Sequence, residues 1–265
     1  MADATGQKPD PGLKITTASF FRIGTQSMAE AYRILGYRAH HGLDDIIGNP
    51  WATLEQAADA KWPRDKRPIP PLTRQEWDAA WGSFDAVTDL ASPFALNLAK
   101  VYSEAKVVIV QRDFDSWWPS FKSENLDRFF NPTTAILNFI ATYVFRIRSG
   151  PALRKMYFGF FGASSVQGIE ANARTAYNKH FRELHESIPP EKSLEYEMGS
   201  DREPLCAFLG REIPNVEFPH SNAREQHAKK GRSNMRRFMV FFLSNTILWM
   251  FAVVLGVWLL YRVPT

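Results

Sequence analysis

One cysteine, Cys206, occurs in 265 residues. This excludes an internal disulfide framework and any cysteine-rich zinc site, and it fits a reducing compartment. No set of His, Cys, Asp and Glu has metal-ligand spacing, so no metal is expected. There is no G-x-S-x-G elbow and no G-x-G-x-x-G dinucleotide turn. The triphosphate loop G-x-x-x-x-G-K-[ST] is missing too: it would need glycine at Ser19 and lysine at Thr25. Excess charge is slight. Lys and Arg number 32 against 28 Asp and Glu, a formal +4, which suits an anionic ligand or a membrane surface and is too weak for nucleic acid. The opening segment, MADATGQKPDPG, has no apolar run, so residues 1–11 read as a flexible lead-in rather than a secretory signal.

Apolar residues are plentiful, at 45% with 14% aromatic, ample for a sizeable core. Two stretches stand out. Residues 238–260 hold no charge, and Ser244, Asn245 and Thr246 are their only polar side chains. As a helix rising about 1.5 Å per residue they reach roughly 34 Å, enough for a hydrocarbon core of roughly 30 Å. A buried core helix is the other reading, though such helices rarely lack a polar face. Lys229, Lys230, Arg232, Arg236 and Arg237 precede the run and only Arg262 follows it. That asymmetry leaves residues 1–237 in the cytosol. The expectation is a single-pass, tail-anchored membrane protein, with the endoplasmic reticulum a candidate membrane. Its domain of residues 12–225 joins the anchor through a basic linker, 226–237, that touches anionic headgroups. The second stretch, residues 129–162, is aromatic, with no charge from Thr133 to Phe145. It reads as core, as a lid, or as a face lying against the membrane.

Strand signals fall near residues 13–18, 38–40, 84–88, 107–110 and 193–196, with helical patterns between them. The alternation predicts an α/β fold: a P-loop-like, three-layer parallel sheet flanked by helices, with ligands at the C-terminal strand tips, plus the C-terminal transmembrane helix. After the first strand, RIGTQS turns the chain. Met28, Ala31, Tyr32 and Leu35 then recur at helical spacing, and Gly36 stops the helix. Strand, glycine turn and helix aim free N–H groups and the positive helix end at an anion. Gly24 permits close backbone approach, Thr25 and Ser27 add hydroxyls, and Arg22 adds a charge. An ordinary strand-turn-helix unit remains the plain alternative. A second unit, AKVVIVQRDFDSWWPSF, reads as a buried strand, then Arg112, then a helix capped by Asp115 or Ser116. Ser120 lies eight residues after Arg112, and both could meet one phosphate. Otherwise Arg112 pairs with Asp113 or Glu124 and Ser120 is a surface hydroxyl.

Together the two units resemble the sulfotransferases that use 3′-phosphoadenosine 5′-phosphosulfate. More narrowly, RIGTQS, YRAHHG, TDLASPF, YSEAKVVIVQRDFDSWWPSF and EPLCAFLGREIPNVEFPHSN resemble, in order and spacing, a fungal-rich sulfotransferase-like branch. The likeness runs from about Lys14 to Asn222. It implies that Arg22, Gly24, Thr25, Gln26 and Ser27 hold the 5′-phosphosulfate and that Arg112 and Ser120 hold the 3′-phosphate. The departures are arginine in place of lysine at Arg22, Ile23 in place of a hydroxyl residue, and Phe20 and Phe21 in place of smaller residues, adding bulk to the loop. The family's R-K-G element has only a loose counterpart in Lys229-Lys230-Gly231, which also reads as plain juxtamembrane charge.

Sulfuryl transfer needs a base for the acceptor's proton and cations on the leaving phosphate. The family places a histidine base before the strand-end arginine. Here Asp89 holds that neighbourhood, as a base or as the N-cap of the helix near Pro93, with Ser92 the alternative cap. His40 and His41 line the cleft or are plain loop residues. His180 reads as a core or surface histidine. Three functions follow. The first is sulfuryl transfer to a small lipophilic acceptor hydroxyl, with Asp89, Arg22 and His41 catalytic. The second is a kinase-like enzyme, disfavoured by the missing lysine and the lack of a strand-end Asp pair for magnesium. The third is a silent membrane-tethered scaffold of a biosynthetic pathway.

Overall fold

A computed structural model describes residues 12–44, 50–64 and 68–216, with isolated positions 233, 236, 237, 240 and 244. Its strands are β1 (Ile15–Ala18), β2 (Ala39–His40), β3 (Ala86–Val87), β4 (Lys106–Ile109) and β5 (Ser193–Glu195). All pair in parallel, in the order β2-β3-β1-β4-β5. Each strand signal in the sequence corresponds to one of them. The third is shorter than expected because its ends do other work. Asp85 turns its carboxylate to Arg38 (2.9 Å) and Lys14 (3.1 Å), and Thr88 leads straight into a 3-10 turn, Asp89–Phe94. Burial alone would raise the Asp85 carboxyl, but the hydrogen bonds from Arg38 and Lys14 outweigh it and hold the pKa at about 2.

The helices are α1 (Thr25–Ile34), α2 (Trp51–Lys61), α3 (Arg74–Trp81), α4 (Ala95–Val101) and α5 (Phe114–Phe121). α5 runs on through a π-helical turn, Lys122–Leu126, into the short α6 (Asp127–Phe129). Then come α7 (Pro132–Tyr143), α8 (Ser149–Phe161), α9 (Val166–Ser187) and α10 (Glu203–Leu209). Two caps differ from expectation. α5 is capped by Asp113, which accepts from Ser116 N–H at 2.9 Å, rather than by Asp115 or Ser116. Neither Asp89 nor Ser92 caps the segment after β3. Thr88 stands at its N-cap without capping it, because its Oγ1 donates to His40 O at 3.1 Å, and Ser92 Oγ donates to Thr17 O at 3.0 Å, fastening the turn to β1.

The expected bulk of Phe20 and Phe21 does not crowd the loop. Phe20 is turned into the core, stacked on Phe160 with centroids 4.0 Å apart and edge-on to Trp117. Trp117 Nε1–H donates to Phe21 O at 2.8 Å, so the two aromatic residues prop the loop from beneath. The stretch 129–162 divides. α8 buries Met156, Phe158 and Phe161, whereas α7 leaves Ile136, Phe139 and Tyr143 exposed. Among the described residues no helix is long and apolar enough to cross a membrane. The apolar run 238–260 and the basic linker before it, including Lys229-Lys230-Gly231, lie outside the described residues apart from the isolated positions named above.

Candidate functional site

The tips of β1, β3 and β4 converge on the turn between β1 and α1. Arg22 and Gly24 both sit in the left-handed region, with φ of 70° and 73°. Glycine adopts this freely; for arginine it costs about 1–2 kcal/mol, so surrounding contacts must hold the turn. Gly24 is the N-cap of α1, no side chain caps it, and no acidic residue lies in the first turn. The orphan N–H groups and the positive helix end are therefore left for an anion. The loop after β5 presses on the same place: a Cβ on Gly24 would lie 2.8 Å from Met198 Cγ.

Two cavities meet at this turn. The larger, about 1040 Å³, is walled by Ile23, by the loop after β4 and by residues 195–199. The smaller, about 480 Å³, has apolar walls from Phe21, Trp51, Leu90, Leu153 and Tyr157, and polar groups from Asp89, Ser120, Glu124 and Asn125. Arg22, Gly24, Ser27 and Arg112 line both. Arg22 Nε–H donates to Ser120 Oγ at 3.3 Å. Arg112 is exposed, and neither of the ion pairs weighed for it forms: Asp113 serves as the α5 cap and Glu124 pairs with Arg128 at 3.1 Å. Its backbone is fixed instead. Arg112 N–H donates to the Tyr177 hydroxyl at 3.2 Å, and that hydroxyl donates to the Arg112 carbonyl. Burial pushes Tyr177 up to about 12, against the Arg112 backbone bond that lowers it, so it stays protonated.

Behind the loop runs a hydrogen-bonded chain. His41 Nδ1 accepts from Leu43 N–H at 3.1 Å, so in the neutral ring the proton is on Nε2. Nε2–H then donates to Thr25 Oγ1 at 3.1 Å, and the Thr25 hydroxyl donates to Asp89 Oδ1 at 3.4 Å. Asp89 has φ 58°, and a Cβ on Gly42 would come within 2.4 Å of its Oδ2. Backbone and side chain together thus aim the carboxylate into the smaller cavity. His40 turns away, against the rings of Trp81 and Phe84. His180 is a core residue. Its Nε2–H donates to Ser19 O at 3.0 Å, and burial, helped by the Lys61 charge, drives its pKa down to about 3. Gln26 lines the smaller cavity, and its buried Oε1 has no hydrogen-bond partner among the described residues.

The nine residues given site roles from the sequence gather here, Arg22, Gly24, Thr25, Gln26, Ser27, Asp89, Arg112 and Ser120 on the cavity walls and His41 one hydrogen bond behind, whereas His40, the other histidine weighed for the cleft, does not. Sequence reasoning missed Trp51, Asn125, Leu153 and Tyr157 on the smaller cavity and Tyr196 and Met198 on the larger. The helical period of α8 marks Leu153 and Tyr157 as inward-facing. Nothing local distinguishes a wall from a core face. Among the described residues no group of three or more His, Cys, Asp or Glu is placed to hold a metal ion.

A parallel sheet whose first strand ends in a turn with free helix N–H groups, with cavities on either side of it, is the arrangement of an α/β protein suited to an anionic ligand at its strand tips. The profile described as "Sulfotransferase domain" matches residues 14–227, and the chain belongs to that family of group-transfer enzymes. It is 24% identical over 235 residues to "Ava biosynthesis cluster protein M" of Aspergillus versicolor, an alignment covering 83% of this chain and 85% of that protein.

Proposed function

We propose that the protein moves a sulfuryl group from 3′-phosphoadenosine 5′-phosphosulfate to a hydroxyl of a small lipophilic acceptor, while tethered to a membrane by residues 238–260. The observation that carries this reading is the meeting of two cavities at one set of cationic and hydroxyl groups. The larger has the volume of a nucleotide site and the smaller has the apolar walls of an acceptor site. The residues fit the co-substrate: an uncapped helix N-terminus, a guanidinium at Arg112 that no carboxylate neutralises among the described residues, and a Gln26 Oε1, orphaned among them, that can take a donor. When bound, the co-substrate supplies the activated sulfuryl group. Arg22 and Ser27, with the first N–H groups of α1, hold its 5′ side and Arg112 its 3′-phosphate, while Thr25 and Ser120 reach the same phosphates from the smaller cavity. Arg22 balances the charge that develops on the leaving oxygen. Asp89 accepts the proton of the acceptor hydroxyl, and His41 positions it through Thr25. The similarity to a biosynthesis cluster protein supports an acceptor made in a biosynthetic pathway.

Ile23 favours a second reading. It is an apolar side chain on the larger cavity's wall, where the family resemblance calls for a hydroxyl. A silent member would keep the fold and serve the pathway as a scaffold.

Calorimetry of the full chain in detergent, with 3′-phosphoadenosine 5′-phosphate against ATP, tests the donor site. The bisphosphate is expected to bind preferentially. Arg112→Ala is expected to weaken it roughly ten- to a hundredfold, since a hydrogen bond to a charged group contributes about 1.5–3 kcal/mol. Binding of neither nucleotide would refute the donor assignment.

A further inference from the structure

We propose that the outer face of α7 lies in the headgroup layer of an anionic lipid bilayer, so that lipophilic acceptors pass from that layer into the smaller cavity. This rests on the membrane-tethered reading above and adds which surface of the domain meets lipid.

α7 is packed the opposite way from a core helix. A surface helix normally turns its large apolar side chains inward. Here the inner face carries Ala141, Thr142 and Asn138, the last against Gly150 of α8 at 3.2 Å from a built Cβ. The large residues point out. Ile136, Phe139 and Tyr143 are 61%, 62% and 71% exposed, at spacings of three and four that place them on one face. The rings of Phe139 and Tyr143 pack against each other at 4.6 Å. Such a patch marks an interaction surface.

Charge picks the partner. Residues 129–148 contain no acid. Arg146, just past the helix, and Arg154 have no carboxylate partner among the described residues, and Arg154 lies over the rings of Phe130 and Phe158. An apolar face rimmed by cations matches the boundary of an anionic bilayer. The chain also carries its own means of staying there, the uncharged run 238–260 with five cations before it. Position links the face to the acceptor. α7 and α8 form a tight hairpin, with Ile147 N–H donating to Ala141 O at 2.9 Å. α8 supplies Ser149, Leu153 and Tyr157 to the smaller cavity, so α7 is the layer just outside the acceptor wall.

The test places an environment-sensitive fluorophore on the full chain through Phe139→Cys, with Tyr143→Cys as a second site should the first fail to fold. Cys206 is buried, and unmodified protein gives its background labelling. The protein is reconstituted in phosphatidylcholine vesicles with and without phosphatidylserine, containing lipids that bear a nitroxide quencher on the acyl chain. A blue shift and several-fold stronger quenching with phosphatidylserine are expected. Water-like emission overturns the proposal. So does a blue-shifted label that lipid does not quench, because the face is then covered by a second copy or by the chain's own tail. A parallel label at Val253→Cys separates the two ideas. Quenching at 253 without quenching at 139 leaves the anchor standing and removes this inference; quenching at neither removes both.

Discussion

The larger cavity is walled mostly by turns of the chain: the loop after β1, the loop after β4 and the segment after β5. The smaller is walled mostly by long side chains carried on helices: Trp51 of α2, Asn125 of the π-turn, and Leu153 and Tyr157 of α8. The first kind of wall depends on backbone conformation and on a few short polar groups, so it tolerates little change. The second depends on side-chain volume, so it can be reshaped one residue at a time. A fixed donor and a variable acceptor would need this division.

The largest effect expected from breaking that division is at Asp89, which lines only the smaller cavity. Asp89→Asn keeps the shape and removes the proposed base. Turnover is expected to fall about 10²–10⁴-fold while bisphosphate affinity stays unchanged, as read by single-turnover kinetics beside calorimetry. A parallel loss of affinity would show that the two cavities are not separable. Gly24→Ala comes next. The left-handed φ costs about 1–2 kcal/mol with a Cβ present, and Met198 must also move. Donor affinity is expected to drop roughly tenfold. Adding Met198→Ala should relieve the contact but not the strain, so recovery should be partial; full recovery would mean that the backbone angle does not matter.

An effect on stability rather than on ligand is one that both cavities share. His180 fastens α9 to Ser19, directly before the loop. Its folded pKa, about 3, lies below the ordinary 6.5, so the unfolded chain takes up the proton more readily. The stability it contributes is complete above about pH 6.5 and is lost as pH falls toward 3, by at most about 1.4 kcal/mol per pH unit. Denaturant midpoints measured across this window should fall with acid, and His180→Gln should flatten the slope.

The parallel sheet was legible because β-branched runs alternate with helical periods, and all five strands lie where those signals fall. The turn after β1 was legible because Gly24, Thr25 and Ser27 follow a strand within a few residues. Asp89 was legible as a candidate only, since its role depends on Gly42 and Thr25 crowding it from another part of the chain. The wall of the smaller cavity was not legible. Trp51 and Tyr157 are about a hundred residues apart, and only the packing of α2 on α8 brings them to one space. Phe20 and Phe21 misled for a related reason: from the sequence alone, a large residue beside a loop does not reveal which way it turns.

The π-turn between α5 and α6 carries a lesson about descent. Such a turn holds one residue more than the α-helical ladder requires, and each residue advances a helix by about 100°. Ser120 lies before it; Asn125 and Arg128 lie within and after it. Losing a single codon there would swing the following side chains around the axis while Ser120 kept its place beside Arg22. A gene could thus reshape the smaller cavity in one small step, with the turns around the larger one inherited intact.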